Sequence, residues 1–206
     1  MSPRPNLTEV RRRQILEAAA DVIVERGAGE IRVADIAEKV GISPPLVMYY
    51  FDTKDEILSK ALAFKDREFF DSVARAAGDD PPIRRLEALI DASCPGPEAP
   101  SDDASWVLWM EAWARSRHDP AVAEMRHRMD ANWRNVVSDT VRQGQAVGAF
   151  DPAVDADRFA RALTGLIDGL AIQVVLGDED VDRGEMRDIC MEFASRHLAR
   201  PLGGKS

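Results

Sequence analysis

Residues 33–57, VADIAEKVGISPPLVMYYFDTKDEI, decide the fold of the N-terminal part of the chain. The apolar residues of the first half recur at helical spacing, namely Val33, Ile36, Ala37 and Val40. Gly41 ends this helix, because glycine adopts positive φ without a Cβ penalty. Ser43 then precedes Pro44 and Pro45, which are tolerated in a first helical turn. Two short helices joined by a tight turn are predicted, which is the helix-turn-helix pattern.

The same stretch resembles the DNA-binding segment of the tetracycline-repressor (TetR) family of transcriptional regulators. The matching residues, in order and spacing, are Ile36-Ala37, Gly41-Ile42-Ser43, Tyr49-Tyr50-Phe51 and Lys54. Two positions depart from the family pattern: Arg32 stands where Thr or Ser is common, and Met48 where Tyr is common. The motif covers about the first quarter of the chain, and the remainder agrees only in its helical layout.

The resemblance implies which residues face DNA. Ser43 and the N–H groups of the helix start are expected to bind phosphate, and Tyr49 and Lys54 match the family's phosphate contacts. Arg32 is either a further phosphate contact or a solvated arginine. Four apolar residues are expected at the base edges, namely Pro44, Pro45, Leu46 and Met48. Because they cannot form bidentate hydrogen bonds, readout is expected to rest on thymine methyls, DNA shape and dimer spacing.

Composition limits the class of protein. The chain has 206 residues, 45% of them hydrophobic, which suits one large or two small domains. No run of about 18 apolar residues predicts a membrane span, and the N-terminus lacks the apolar segment of a secretory signal. The two cysteines, Cys94 and Cys190, have no metal-ligand spacing. These features predict a cytoplasmic protein with structural thiols and no membrane partner.

The net charge of −9 argues at first against nucleic acid. However, residues 1–65 hold ten Lys/Arg and ten Asp/Glu, whereas residues 66–206 hold seventeen and twenty-six. The acidity therefore lies outside the predicted DNA-binding part, where it repels phosphate less across a Debye length of about 10 Å.

Periodicity and capping signals predict an all-α fold with about nine helices. Residues 1–52 are predicted as a helix-turn-helix DNA-binding domain with a flexible N-terminal arm, and residues 53–206 as a ligand-binding and dimerisation domain. In the arm, Arg4 either enters a minor groove or belongs to a disordered segment. Helix N-caps are predicted at Thr53, Asp155 and Asp182.

An aromatic stripe, residues 105–117, marks a second candidate site. Three tryptophans recur there at i, i+3 and i+7, and a stripe of this kind forms either protein core or the wall of a ligand pocket. The resemblance to the TetR family implies an effector pocket within the C-terminal helices. The W-x-x-x-W-A pattern also resembles the choline-responsive (BetI-like) sub-group, which implies a cationic effector near Asp168 or Glu111. The predicted ligand-binding residues are Trp106, Trp109, Met110, Trp113, Met129, Trp133 and Asp168.

The last two predicted helices have broad apolar faces, and Gly165 and Gly169 allow another helix to approach closely. Either these faces form an intramolecular core, or they pair with a second copy into the four-helix bundle that the resemblance implies. The predicted interface residues are Phe159, Leu163, Leu166, Ile167, Leu170, Val174, Ile189 and Phe193.

Enzymatic chemistry has little support. The three histidines are scattered, and no G-x-S-x-G, Walker, G-x-G-x-x-G or H-E-x-x-H motif occurs. No catalytic residue, cofactor or metal is predicted. We expect a homodimeric repressor that binds a palindromic double-stranded operator and is released by a small-molecule effector, whose identity the sequence does not give. The alternatives are an activator or DNA organiser of the same fold, and an all-α enzyme or carrier that uses the tryptophan pocket.

Overall fold

A computed structural model describes residues 7–27, 29, 31–77, 80–94 and 104–199. Within these ranges the backbone forms nine α-helices and no strand, which confirms the predicted all-α fold. The helices are α1 Leu7–Arg26, α2 Val33–Val40, α3 Pro44–Tyr50, α4 Lys54–Ala77, α5 Pro82–Ser93, α6 Ala104–Ser116, α7 Pro120–Ala146, α8 Ala156–Leu176 and α9 Arg183–Leu198. The predicted N-terminal arm with Arg4 lies outside the described residues.

The three predicted N-caps hold the starts of α4, α8 and α9. Thr53 Oγ1 accepts a hydrogen bond from Glu56 N at 3.0 Å. Asp155 Oδ1 accepts from Arg158 N at 3.0 Å, and Asp182 Oδ1 accepts from Glu185 N at 2.8 Å. These side chains satisfy donors that the first turn of a helix leaves unpaired, at a typical gain of about 1 kcal/mol each.

The chain forms two compact units. The N-terminal unit comprises Met1–Phe69 and Ala104–His127, and the C-terminal unit comprises Phe70–Asp103 and Arg128–Ser206. Their limits fall within α4 and α7. The predicted boundary between residues 52 and 53 lies inside the N-terminal unit, where α6 packs with α1. Where the functional domains divide remains a prediction.

The helix-turn-helix is held in the N-terminal unit by a small apolar core and by ion pairs. Gly41 has φ 72°, the left-handed conformation that the turn between α2 and α3 requires. Arg26 Nη1 bonds Asp35 Oδ1 at 2.8 Å, which ties α1 to α2. The buried side chains of this core come from α1 to α4 and from the connection between α3 and α4, namely Ile15, Ile23, Ile36, Val47, Phe51, Ile57 and Leu58.

The C-terminal unit is organised around α8, which packs along α9, while α9 also packs on α5. The Phe159 and Phe193 rings stack with centroids 5.6 Å apart. The mean hydropathy of α8, 1.5 over 18 residues, would also suit a membrane span. However, one whole face of α8 is buried inside this unit, as in a core helix.

That burial corrects part of the predicted dimer interface. Four of the predicted residues are only 1–8% exposed within a single protomer, namely Phe159, Leu163, Ile167 and Leu170. They lie in the protomer's own core, because the apolar face of α8 that the sequence shows is the face that α9 covers. The other four are half-buried, and their interface role remains a prediction; these are Leu166, Val174, Ile189 and Phe193.

A packing constraint joins the end of α7 to the following turn. A Cβ built on Gly144 would lie 2.0 Å from Cδ2 of the buried Phe150 ring. Gly144→Ala is therefore expected to lower the free energy of unfolding by about 2 kcal/mol through overpacking. Urea denaturation measures this loss. Gly29→Ala is the control, since no atom lies within 4 Å of a Cβ at that position, and an unchanged midpoint for Gly144→Ala would contradict the packing.

Candidate DNA-binding surface and effector region

The short helix α3 buries one face and exposes the other. Val47 faces the core, whereas Leu46, Met48 and Tyr49 are 39%, 38% and 79% exposed. The exposed side chains include two of the four predicted base-edge residues, and Pro44 and Pro45 are exposed as well. A helix can insert into a major groove when one face packs in the protein core and the opposite face is exposed.

The start of α3 offers fewer phosphate donors than predicted. Ser43 occupies the N-cap position, but its side chain makes no capping hydrogen bond. Pro44 and Pro45 lack an N–H, and Leu46 N already bonds Ser43 O at 3.0 Å. The first turn of α3 therefore offers no free N–H group from Pro44 to Leu46. Phosphate binding at the start of α3 remains a prediction for Ser43.

The end of α3 is fixed by an arginine whose role the sequence did not reveal. Arg12 Nη1 donates to Tyr50 O at 2.6 Å, and its guanidinium lies 4.5 Å from the centroid of the buried Phe51 ring. Arg12 thereby satisfies a carbonyl at the helix C-terminus and holds α3 against α1. In the sequence, Arg12 stands out only as a member of the run Arg11-Arg12-Arg13, and this run does not show which of the three side chains faces the protein interior.

The remaining predicted phosphate contacts differ in how firmly they are held. The Tyr49 ring meets Tyr50 edge-on, with centroids 5.3 Å apart, and projects into solvent. Lys54 Nζ donates to Ile31 O at 3.2 Å, which leaves two of its three N–H donors. Arg32 N donates to Asp35 Oδ2 at 2.9 Å, while the Arg32 side chain is exposed. Lys54 is thus anchored in place, and Arg32 is anchored only through its backbone.

Several other cations of the N-terminal unit are neutralised internally. Arg13 Nε bonds Glu17 Oε1 at 2.7 Å, and this hydrogen bond raises the pKa of Arg13 above its ordinary value. Lys39 Nζ bonds Glu25 Oε1 at 2.6 Å, which likewise raises the pKa of Lys39. Phosphate binding is therefore expected from a few residues, and the salt dependence of operator binding is expected to be modest.

The tryptophans of α6 do not form the buried face of that helix. Leu108 and Ala112 are buried, whereas the predicted ligand residues Trp106, Trp109, Met110 and Trp113 are half-buried. The rings of Trp109 and Trp113 lie 6.3 Å apart between centroids at 41°. These four residues belong to the N-terminal unit. Part of each side chain is therefore accessible, and the role of these residues as ligand contacts remains a prediction.

The other three predicted ligand residues belong to the C-terminal unit. Met129 is buried on α7, Trp133 is half-buried one turn later, and Asp168 is half-buried on α8. Burial raises the pKa of Asp168 to about 7; the nearby Asp130 carboxylate adds to the rise, and Arg134 opposes it. Within the described residues Asp168 forms no hydrogen bond or ion pair. The Asp130 carboxylate raises the pKa of Asp168 more than Arg134 lowers it, so this half-buried carboxylate is suited to bind a cation.

An all-helical chain with an exposed recognition helix has the construction of a DNA-binding transcriptional regulator. Residues 15–61 match the family model described as bacterial regulatory proteins of the tetR family. Residues 82–199, more than half of the chain, match the model for the C-terminal part of BetI-type transcriptional repressors. The chain belongs to the TetR family, with a C-terminal part of the BetI type.

Similar proteins are regulators as well. The HTH-type transcriptional regulator BetI of Stenotrophomonas maltophilia is 33% identical over 171 residues, which cover 82% of this chain and 83% of the relative. BetI 1 of Chromohalobacter salexigens is 26% identical over 200 residues, covering 96% and 95%. A transcriptional regulator from Saccharomonospora viridis, crystallised in complex with choline, is 30% identical with a TM-score of 0.85, covering 93% of this chain and 99% of that one.

These matches confirm the predicted class: a TetR-family DNA-binding transcriptional regulator of the repressor type. The resemblance to the BetI-like sub-group is confirmed too. The matched families and relatives are regulators and not enzymes.

Proposed function

We propose that this regulator is a cytoplasmic homodimer that represses transcription at a palindromic operator and leaves the DNA when it binds a small organic cation. The observation that carries the DNA-binding part is the exposed face of α3, where Tyr49 projects into solvent while Val47 is locked in the core. A gel shift with the DNA upstream of the protein's own gene tests it. A footprint overlapping the promoter indicates a repressor, whereas a footprint upstream of the promoter indicates an activator.

The outer face of α8 supports the dimer. Ala162, Gly165 and Gly169 lie on this face and are exposed, and among the described residues no atom outside the local backbone of α8 lies within 4 Å of a Cβ built on either glycine. Glycine inside a helix costs about 1 kcal/mol relative to alanine, and packing within the protomer gives no reason for that cost here. A second copy of α8 that approaches closely would give one. We therefore propose this face as the dimer contact, flanked by Leu166.

Gly169→Leu is expected to convert the dimer to a monomer at micromolar concentration, because the new side chain separates the two helix axes. Sedimentation velocity measures the change. Gly169→Ala is the matched control: it should keep the dimer or disrupt it less, and it should raise the helix stability of the protomer by about 1 kcal/mol. A Gly169→Leu variant that stays dimeric would exclude this face.

The proposed effector is a small organic cation of the quaternary ammonium class. The support is the half-buried Asp168 carboxylate, whose pKa burial and Asp130 raise, together with the choline complex of the Saccharomonospora viridis regulator. The α6 tryptophans are a separate proposal within the N-terminal unit, since a cation binds favourably over an indole face. Isothermal titration with choline, betaine, tetramethylammonium and polyamines tests the class, and a panel without any binding would refute it.

The proposed coupling between effector and DNA uses an ion pair in the N-terminal unit. Arg115, in the last turn of α6, bonds Asp55 Oδ1 at 2.8 Å, and Asp55 belongs to the first turn of α4 beside Lys54. The tryptophan helix is thereby connected to the residue proposed to hold phosphate. A shift of α6 would change the position of the α4 start and so the operator affinity.

Arg115→Gln is expected to leave effector-free operator affinity within about twofold and to weaken effector-induced release about fivefold, the energy of one exposed ion pair. Fluorescence anisotropy with labelled operator, with and without effector, measures both. Arg84→Gln is the control, because it breaks another exposed pair, with Glu87 at 2.7 Å on α5. If the effector releases the Arg115→Gln variant from the operator as readily as it releases the unmodified protein, this connection is ruled out.

A further inference from the structure

The end of the recognition helix α3 needs support from outside the helix. α3 has seven residues, which is too few for a helix that is stable alone, and its last carbonyl groups have no partner within it. The chain turns to extended backbone at Phe51, so no further helical turn covers this end. The contacts that hold it come from α1 and α4.

The contact from α1 is made by Arg12. Its Nη1 donates to Tyr50 O at 2.6 Å, and its guanidinium lies 4.5 Å from the centroid of the Phe51 ring, which is 2% exposed. A positive charge at the C-terminus of a helix also interacts favourably with the helix dipole. One half-buried side chain of α1 therefore fixes both the last residue of α3 and the residue that follows it.

The contacts from α4 hold the connection that follows α3. Lys60 Nζ lies 5.9 Å from the centroid of the same Phe51 ring and pairs with Glu56. Glu56 Oε2 accepts a hydrogen bond from Asp52 N at 2.7 Å. These contacts reach Phe51 and Asp52, whereas Arg12 bonds α3 itself. Loss of the Arg12 guanidinium is therefore expected to leave the connection in place and to free the last turn of α3.

Tyr49 depends on this end of α3 for its position. Its ring meets the Tyr50 ring edge-on, with centroids 5.3 Å apart, while the residue is 79% exposed. A hydrogen bond from the Tyr49 hydroxyl to a phosphate would weaken steeply as its distance and angle depart from the ideal. A small displacement of Tyr50 would therefore weaken a phosphate contact made by Tyr49.

We propose that Arg12 is a positioning residue for operator binding: through Tyr50 it holds the Tyr49 hydroxyl where a DNA phosphate accepts its hydrogen bond. This role rests on the phosphate contact proposed for Tyr49. Arg12 binds no phosphate in this role, because its guanidinium is directed at Tyr50 O and the Phe51 ring. It affects operator affinity only while Tyr49 is present, and this dependence separates positioning from a general effect on stability.

A double-mutant cycle with Tyr49→Ala tests this dependence, by fluorescence anisotropy at fixed salt with the labelled upstream DNA that the gel shift identifies. Arg12→Met keeps an unbranched apolar side chain and removes the guanidinium, and it is expected to weaken binding about tenfold. That value corresponds to half of the free energy of the Tyr49 contact, whose complete loss weakens binding about 100-fold. In the Tyr49→Ala protein the same change should cost less than about twofold.

Additive losses would overturn the positioning role, because partial unfolding, or a contact of Arg12 with DNA, would weaken binding equally with and without Tyr49. An Arg12→Met protein that binds as tightly as the unmodified one would overturn it too. Unchanged binding by Tyr49→Ala would refute the phosphate contact itself, and the positioning role with it. A large loss for Tyr49→Ala with an additive loss for Arg12→Met would refute the positioning role alone.

Two further variants control for charge and folding. Arg13→Gln removes the neighbouring charge, which pairs with Glu17 at 2.7 Å, and should bind within about twofold of the unmodified protein. A loss as large as that of Arg12→Met would assign the effect to charge alone. Arg12→Lys keeps the charge and a donor for Tyr50 O but lacks the planar group over Phe51. Its smaller loss should likewise require Tyr49, so it replaces Arg12→Met if that variant does not fold.

The salt dependence distinguishes positioning from direct contact. Arg12→Met should leave the slope of log affinity against log salt unchanged, because no phosphate charge is exposed by the substitution. A slope that falls by about two in the dimer would indicate one direct phosphate contact of Arg12 in each half-site and would contradict the positioning role.

Discussion

Replacing Tyr49 by alanine is expected to lower operator affinity about 100-fold without destabilising the protein. The hydroxyl of Tyr49 is proposed to donate to a DNA phosphate, and a hydrogen bond to a charged group contributes about 1.5 kcal/mol. A dimer uses this contact in both half-sites, so about 3 kcal/mol is lost in total, which corresponds to roughly 100-fold in the dissociation constant. The thermal midpoint should not move, since Tyr49 is 79% exposed.

Fluorescence anisotropy at fixed salt measures the affinity. Tyr49→Phe keeps the ring that meets Tyr50 edge-on and removes only the hydroxyl, so it should account for most of the loss. Val147→Ala, an equally exposed position outside the N-terminal unit, should bind as the unmodified protein does. Unchanged affinity of a folded, dimeric Tyr49→Ala variant would show that α3 does not use this residue on DNA.

Lys54→Ala is expected to weaken binding as well, but it is a less clean test. Lys54 Nζ also bonds Ile31 O at 3.2 Å, so its loss affects the connection before α2 in addition to the phosphate contact. Lys54→Arg keeps the charge and is the appropriate comparison.

The second large effect is expected at Asp168. Asp168→Asn should abolish release by a cationic effector, because the amide lacks the charge that balances the cation. A loss of at least about tenfold in effector affinity is expected from removal of a half-buried charge pair. Operator affinity without effector should stay the same, since Asp168 lies in the C-terminal unit.

The pKa of Asp168 adds a pH dependence whose direction is fixed. The folded protein holds this pKa near 7, well above the ordinary value of 3.8. The protonated carboxyl therefore favours folding: its contribution is fully present below pH 3.8 and is lost as the pH rises through about 7. At pH 8 the folded state carries a penalty of roughly 4 kcal/mol, which Asp168→Asn should remove.

Effector binding should show the opposite trend. A cation needs the ionised carboxylate, so affinity should rise up to about tenfold for each pH unit below 7 and level off above it. Isothermal titration at pH 6, 7 and 8 measures this dependence, and urea denaturation over the same range measures stability. Equal pH dependence of the unmodified protein and Asp168→Asn in both experiments would show that Asp168 is not the titrating group.

The sequence alone determined the fold class, the approximate number of helices and the family of this protein. Helical periodicity, Gly41 and the caps Thr53, Asp155 and Asp182 are local signals, because each acts within one or two turns of the chain. The recognition helix is equally local: on so short a helix, the spacing of Val47 and Tyr50 fixes one face and leaves Tyr49 on the other.

Only the tertiary structure decided which residues are buried or in contact, among residues that look alike in the sequence. Apolar spacing marked Phe159, Leu163, Ile167 and Leu170 without distinguishing an interior from an interface, since both bury the same side chains. The inward turn of Arg12 and the raised pKa of the Asp168 carboxylate each depend on residues distant in the chain. Burial and electrostatic fields arise from such long-range packing, and a linear pattern does not contain them.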